Sequence, residues 1–591
     1  MLPGSTFMIA SALAAVVIGV AGRFVAMPTG LLALEVLATI LGLFLFGSFS
    51  FQIHKNALTY GMLLVIIATF TGLSTSTWHA EILQSGWGAW IRHHLLSFSG
   101  LDDLIHADTM LFILGLTFFV AVIAQTRLLE RIAFVLLRRN GGLLLPTVLS
   151  VTAVVAFVSG ILDGVSMVGL TIRTLVIIMM LAAAPAEAVR YAVMVCTAVT
   201  TICGVWLAYG EPPNLIMKAN LYPQLGNAFF LLYCAPAAIA AYAVVAWQLR
   251  GKLQGQRVNL ESMDVIDANA ADVRFLQASR HGEVLTEMEL IEAHTERSDA
   301  WREPVLARVR RGEALGLAMI HEDVREPTRR LLLGHFVAEE LADGLDRHYV
   351  LDAAGQYEAA FYAEQAVNTV LAAMADLRRR AQKVGGIALI PFVAFLILHG
   401  INHEVPLFLA SFAGFFAALP AISGIPKMRA LAIREARQEY AEYYFLFPLF
   451  LSITLLTSAG FFEGMKDLLQ HGIETLGTAH VAFAQFLGST FLSAILDNNV
   501  VADFASRALV SFDVKTLHLF AMAQIAGYAL GGCWTHIGCA QSVVAYAFIQ
   551  RDLDEHFRPV QWIREMTPVI IKILVVMGAI IYAESAILRL F

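Results

Sequence analysis

Phe157-Val-Ser-Gly-Ile-Leu-Asp163 returns later in the chain, acid in the same place, as Phe491-Leu-Ser-Ala-Ile-Leu-Asp497. An arginine follows ten residues after each aspartate, Arg173 and Arg507. A second matched pair comes in the same order, Gly204-Val-Trp206-Leu-Ala-Tyr-Gly210 and Gly532-Cys-Trp534-Thr-His-Ile-Gly538. Two pairs in one order imply an internal duplication. Both copies lie among long apolar segments, so each half sets a carboxylate where lipid or packed helices normally exclude one.

The surrounding composition says what kind of protein carries these copies. The chain has 591 residues, of which 58% are hydrophobic and only 15% charged, and its mean hydropathy is +0.69. A soluble domain is not this apolar, and the length allows ten or more crossings of about 20 residues each. The expected class is therefore an all-α polytopic membrane protein. The formal charge of −7 arises mainly in one polar insert and gives no reason to expect nucleic acid. The five cysteines fall in apolar segments without metal-ligand spacing, so free thiols are expected, and no cofactor is implied.

Three spans are expected near 5–25, 29–48 and 57–73, with Glu35 the unusual acid in the second. Residues 74–105, with Trp78, Trp87 and Trp90, suit an interfacial loop with an aromatic anchor. Together these form an N-terminal scaffold, 1–105. The basic segment Arg127 to Arg139 marks the cytoplasmic face.

The first copy occupies 106–250. Its apolar run from about 145 to 182 is interrupted by Ser159-Gly160 and Asp163-Gly164, which predicts a re-entrant hairpin with the acid at its tip. The next helix runs into Gly210-Glu211-Pro212-Pro213-Asn214. Two prolines remove two donors and fix φ, so the helix must break there, with resumption expected near Leu215.

Residues 251–383 differ from their surroundings, with 17 Lys/Arg against 23 Asp/Glu. Apolar spacing at Val337, Leu341 and Leu345 suggests a small helical domain. It is expected in the cytoplasm, where it could take an unknown regulator. Scaffold helices and a cytoplasmic linker follow over 384–440. The second copy, 441–552, repeats the plan, with a hairpin at about 480–510 and Asp497-Asn498-Asn499 at its tip. A helix from about 516 is expected to break at Gly531-Gly532 and at Thr535 to Cys539. A last helix lies in 553–591. An odd number of crossings between the copies would turn one upside down relative to the other, with the N-terminus in the cytoplasm and the C-terminus outside.

Such an arrangement gathers two hairpin tips and two helix breaks, where helix N-termini carry about half a positive charge and loose carbonyls offer oxygens. It could hold an anion at helix ends or a small cation between oxygens. The acids Asp163, Glu211 and Asp497 favour Na⁺, with Ser166, Asn214, Asn498, Asn499, Thr535 and Ser542 as neutral donors and His536 as a proton relay. Gly164, Gly210, Gly532 and Gly538 supply the tip and break backbone. A carboxylate stripped of water takes a proton more readily than one in solvent, so H⁺ and Na⁺ would compete for one set of groups. Asp163 and Asp497 could also be helix-tip caps, though the matched duplication of the acid favours a functional role.

These residues resemble the ion-transporter superfamily, most closely the NhaD-type sodium/proton antiporters. The resemblance rests on Leu162-Asp163, Gly210-Glu211-Pro212-Pro213-Asn214, Leu496-Asp497-Asn498 and Thr535-His536-Ile537-Gly538. It implies an elevator-type homodimer in a bacterial inner membrane, exchanging Na⁺ or Li⁺ for H⁺. The cation positions it implies are Asp163, Ser166, Glu211, Asn214, Asp497 and Asn498. The chain departs from the pattern where Gly164 replaces the usual Asn, Glu211 the usual Asp and His536 the usual Pro. An anion carrier for dicarboxylate or arsenite, or a membrane sensor acting through 251–383, are the alternatives.

Overall fold

The computed structural model describes residues 38–47, 53, 55–70, 77–258 and 357–590, with a few positions in 6–17 and gaps at 127, 183, 403, 424–425, 442, 459 and 511. Most of the first expected span, Glu35, and the insert from 259 to 356 lie outside the described residues.

All regular elements described are helical. In chain order they are α1 (Ala38–Gly47), α2 (Lys55–Phe70), α3 (Thr77–Ser85), α4 (Trp87–His94), α5 (Phe98–Ile105), α6 (Ala107–Thr126), α7 (Leu128–Arg139), α8 (Leu144–Ser159), α9 (Gly164–Leu181), α10 (Ala186–Thr200), α11 (Pro212–Asn220) and α12 (Asn227–Leu253). After the insert come α13 (Tyr357–Ile401), α14 (Phe408–Ala418), α15 (Pro426–Ala441), α16 (Leu446–Ser458), α17 (Phe461–Leu476), α18 (Thr478–Ile495), α19 (Asn498–Arg507), α20 (Val514–Trp534), α21 (Ala540–Phe548) and α22 (Pro559–Leu590). Among the described residues, seven helices are long and apolar enough to cross a bilayer. The chain is an integral membrane protein of all-α fold.

Four boundaries differ from the sequence expectation. Residues 77–105 are three short helices joined by tight turns and not a loop; Gly86 at φ +80 makes the first turn. Helix α13 begins at Tyr357 and runs unbroken to Ile401, so the boundary expected between the insert and the span at 384 falls inside one helix. The helix after the double proline starts at Pro212 itself, because proline's missing N–H costs nothing in a first turn. The helix α20 passes straight through Gly531-Gly532 and ends at Trp534. Those glycines serve packing: a Cβ on Gly531 would overlap the Thr490 carbonyl, and one on Gly532 would meet Cys539 at 3.1 Å.

Both hairpins form. Helices α8 and α9 meet at residues 160–163, and α18 and α19 meet at Leu496-Asp497. Each acid caps the arm after it. Asp163 Oδ2 accepts from the Ser166 amide at 2.9 Å, and Asp497 Oδ1 from the Asn499 amide at 3.0 Å. The two copies also pack alike. In each, the first hairpin arm lies on the helix before the break, α8 on α10 and α18 on α20. The second arm crosses to the other copy's helix after the break, α9 to α21 and α19 to α11.

The remaining helices pack around this core. Helix α6 lies against α14 and α15, α13 against α14, and α2 against α16.

Candidate functional site

Several local contacts recur in the two copies. Phe157 stacks on Trp206 with ring centroids 4.8 Å apart, and Phe491 packs on Trp534 at 5.4 Å with its ring tilted by 45°. The amide after each acid bonds the glycine that closes its break: Gly164 N to the Gly210 carbonyl at 2.9 Å, Asn498 N to the Gly538 carbonyl at 3.0 Å. Side chains are excluded at both crossings, since a Cβ on Gly210 would overlap the Ser159 carbonyl and one on Gly538 would stand 2.6 Å from the Ser493 carbonyl. Each crossing therefore ties a hairpin tip to a broken helix, backbone against backbone.

The acids are brought together by these crossings. Asp163, Glu211 and Asp497 are each 3% exposed or less. Glu211, the N-cap residue of α11, lies within electrostatic reach of both aspartates. Its two carboxylate oxygens accept from Gln541 Nε2 at 2.8 and 3.0 Å, and a Cβ on Gly164 would overlap Oε1. The first tip, the first break and the helix after the second break thus converge on one carboxylate.

Asp163 has further partners. Tyr443 donates its hydroxyl to Oδ1 at 2.7 Å. Ser166 Oγ stands 2.9 Å from Oδ2 and, on its other side, 2.8 Å from Glu439 Oε2. Beside Ser166 a small cavity is lined by Gly169, Glu435 and Glu439. Around the second tip, Asn499 Nδ2 donates to Asp497 Oδ1 at 2.6 Å, while the buried Asn498 Nδ2 and Asn499 Oδ1 have no hydrogen-bond partner among the described residues.

The other expected residues divide. Asn214 accepts from the buried Tyr528 hydroxyl and donates to the Leu207 carbonyl, so it ties α11 to α20. Thr535 donates to the Ala494 carbonyl at 2.6 Å and Ser542 to the Gly532 carbonyl at 2.9 Å, which braces the second break. His536 packs its ring on Tyr546 at 4.6 Å. Arg507 pairs with Asp503 at 3.4 Å and reaches His106 Nε2 at 3.2 Å; Asp503 in turn accepts from Asn220 at 2.7 Å, joining α19 to α11. The side chain of Arg173 is not among the described residues. Four members of the site, Glu439, Tyr443, Tyr528 and Gln541, carry no local motif, and only the fold brings them in.

Chemically the place is rich in oxygen and acid. It offers three buried carboxylates, together with hydroxyls and amides at helix N-termini.

No curated protein matches the chain. The sequence profile of a family described as citrate transporter, CitMHS, matches residues 84–510, a stretch that takes in both hairpins and the first break. An all-helical membrane chain with paired hairpin tips converging on buried acids, matched over most of its length, belongs to the CitMHS citrate transporter family and is a membrane transporter.

Proposed function

We propose that the chain exchanges Na⁺ or Li⁺ for protons by alternating access, with Asp163, Glu211 and Asp497 as the shared carboxylates. One observation carries the reading. Ser166 Oγ lies within 2.9 Å of carboxylate oxygens of both Asp163 and Glu439, yet a hydroxyl has one proton to give. Both contacts are favourable only when a proton, or a cation in its place, is shared between the two carboxyls. Proton and metal ion are then alternatives at the same oxygens.

The electrostatics point the same way. At a separation of 4 Å and an effective dielectric constant of 20, two unit charges interact by about 4 kcal/mol. An anion beside each ionised acid is opposed by that amount, and a cation is favoured by it. The unpartnered amide of Asn498 and carbonyl oxygen of Asn499 suit a hydrated or partly dehydrated ion next to Asp497. In this reading the copies lie inverted in the membrane, the hairpins move with α10–α11 and α20–α21 against the surrounding helices, and two chains form the working dimer in a bacterial inner membrane. The insert and the N-terminus then face the cytoplasm and the C-terminus the outside.

The family match favours a second reading, a citrate-type carboxylate anion carried together with cations that offset the acids. Proteoliposomes discriminate. Na⁺ or Li⁺ jumps that move protons without any organic acid support exchange. Proton movement that requires citrate on one side would replace it with the second reading.

A further inference from the structure

Outside the acid cluster, Glu81 of α3 and His93 and His94 of α4 converge on one point. Their ligand atoms all lie within 4.8 Å of one another. His94 Nε2 stands 3.2 and 3.1 Å from the two Glu81 carboxylate oxygens. Tetrahedral Zn²⁺ with ligand bonds of 2.0–2.1 Å separates its ligand atoms by about 3.3 Å, so two of three ligands already stand at coordination spacing. The exposed His93 ring, its centroid 4.7 Å from that of His94, supplies the third ligand atom of the group.

The frame around the three residues is built. Gly86 at φ +80 folds α3 back on α4. Trp90 packs on His94 at 4.9 Å and on Trp78 at 5.6 Å, which floors the group with aromatic rings. Ser97 donates to the His93 carbonyl, and a Cβ on Gly100 would overlap that same carbonyl, so α5 fixes the backbone carrying both histidines. Two imidazoles and a carboxylate form the donor set of a three-ligand zinc site with a fourth position left for water. Imidazole and carboxylate also suit Co²⁺.

We infer that Glu81, His93 and His94 form a binding site for a zinc-class divalent cation that pins α3 to α4 ahead of α5. The full-length chain, purified in detergent without a histidine tag, is titrated with Zn²⁺ against a chromophoric chelator, and with Co²⁺ for its visible absorption. The expected result is one Zn²⁺ per chain, tetrahedral-type Co²⁺ bands, and at least about 100-fold weaker binding in E81Q, H93A and H94A, since even outer-shell losses cost 10–100-fold. His471→Ala, on the exposed face of α17, should bind as the unaltered chain does. Because His93 is exposed, H93A keeps the test open if H94A does not fold. Absence of saturable Zn²⁺ binding, or binding undiminished in H93A and E81Q, overturns the site.

Discussion

Replacing either crossing glycine by alanine tests the geometry on which the site depends. At Gly210 the added methyl meets the Ser159 carbonyl, and at Gly538 the Ser493 carbonyl at 2.6 Å. Neither neighbour is the end of a flexible side chain. The tip must move off the break, and the bonds that hold it, Gly164 N to Gly210 O at 2.9 Å and Gly210 N to Gly160 O at 3.1 Å for the first copy, lengthen with it. Overpacking costs about 1–3 kcal/mol, and a buried backbone group left unpaired a further 1–3 kcal/mol or so. G210A should therefore lose roughly 2–6 kcal/mol, and G538A a similar amount less the smaller overlap. Gly169 is the control, for it lies in the hairpin arm α9 with nothing within 4 Å of a Cβ. There alanine gains helix propensity, by up to about 1 kcal/mol. Thermal unfolding in detergent should place G210A lowest, G538A next, and G169A at or above the unaltered chain, with cation-driven proton movement lost in the first two. G210A and G169A unfolding together would refute the backbone crossing.

Asp163→Asn and Asp497→Asn each remove a titrating carboxylate while keeping an oxygen that can cap α9 or α19; both should fold and both should lose exchange in a pH-gradient assay. Ser166→Ala removes a hydroxyl between Asp163 and Glu439 at 2.9 and 2.8 Å; a hydrogen bond to a charged group of about 1.5 kcal/mol predicts a roughly tenfold lower exchange rate. The buried Lys218 ammonium rests on the Tyr209 hydroxyl at 3.1 Å and Asn227 Oδ1 at 3.3 Å. Lys218→Met should leave the unfolding temperature nearly unchanged or raise it, whereas Asn227→Leu, which keeps the charge and removes an acceptor, should lower it.

Much of this architecture is legible in the chain because it is written twice. A repeated acid after an apolar run, and a Gly-acid-Pro-Pro-Asn break, are local signals, and the structure turns them into Leu144–Ser159 with Gly164–Leu181 and a helix restarting at Pro212. What escapes is long-range. Tyr443 and Glu439 sit about 280 residues from the carboxyl and hydroxyl they touch, and Gln541 lies 330 from Glu211. No spacing rule links such positions, because helix periodicity fixes a face and not the partner on it. Gly531-Gly532 misleads for the opposite reason. A glycine pair looks like a break, but here Thr490 and Cys539 press on the helix and need the missing side chains.

The capping role of Asp163 and Asp497 does not compete with a transport role. A cap uses one carboxylate oxygen to take a first-turn N–H, here Oδ2 of Asp163 and Oδ1 of Asp497, and leaves the other oxygen to the surroundings. For Asp163 that oxygen takes the Tyr443 hydroxyl at 2.7 Å, a neutral donor that holds the carboxylate without neutralising it. Capping by itself would not require an acid at either tip, since asparagine would do as well. It would not draw Glu211 into reach of both. Three acids in one buried place are mutually repulsive by several kcal/mol unless positive charge arrives. An arrangement that costs stability when all three acids are ionised is one that a proton or a cation relieves, which is what the proposed exchange requires.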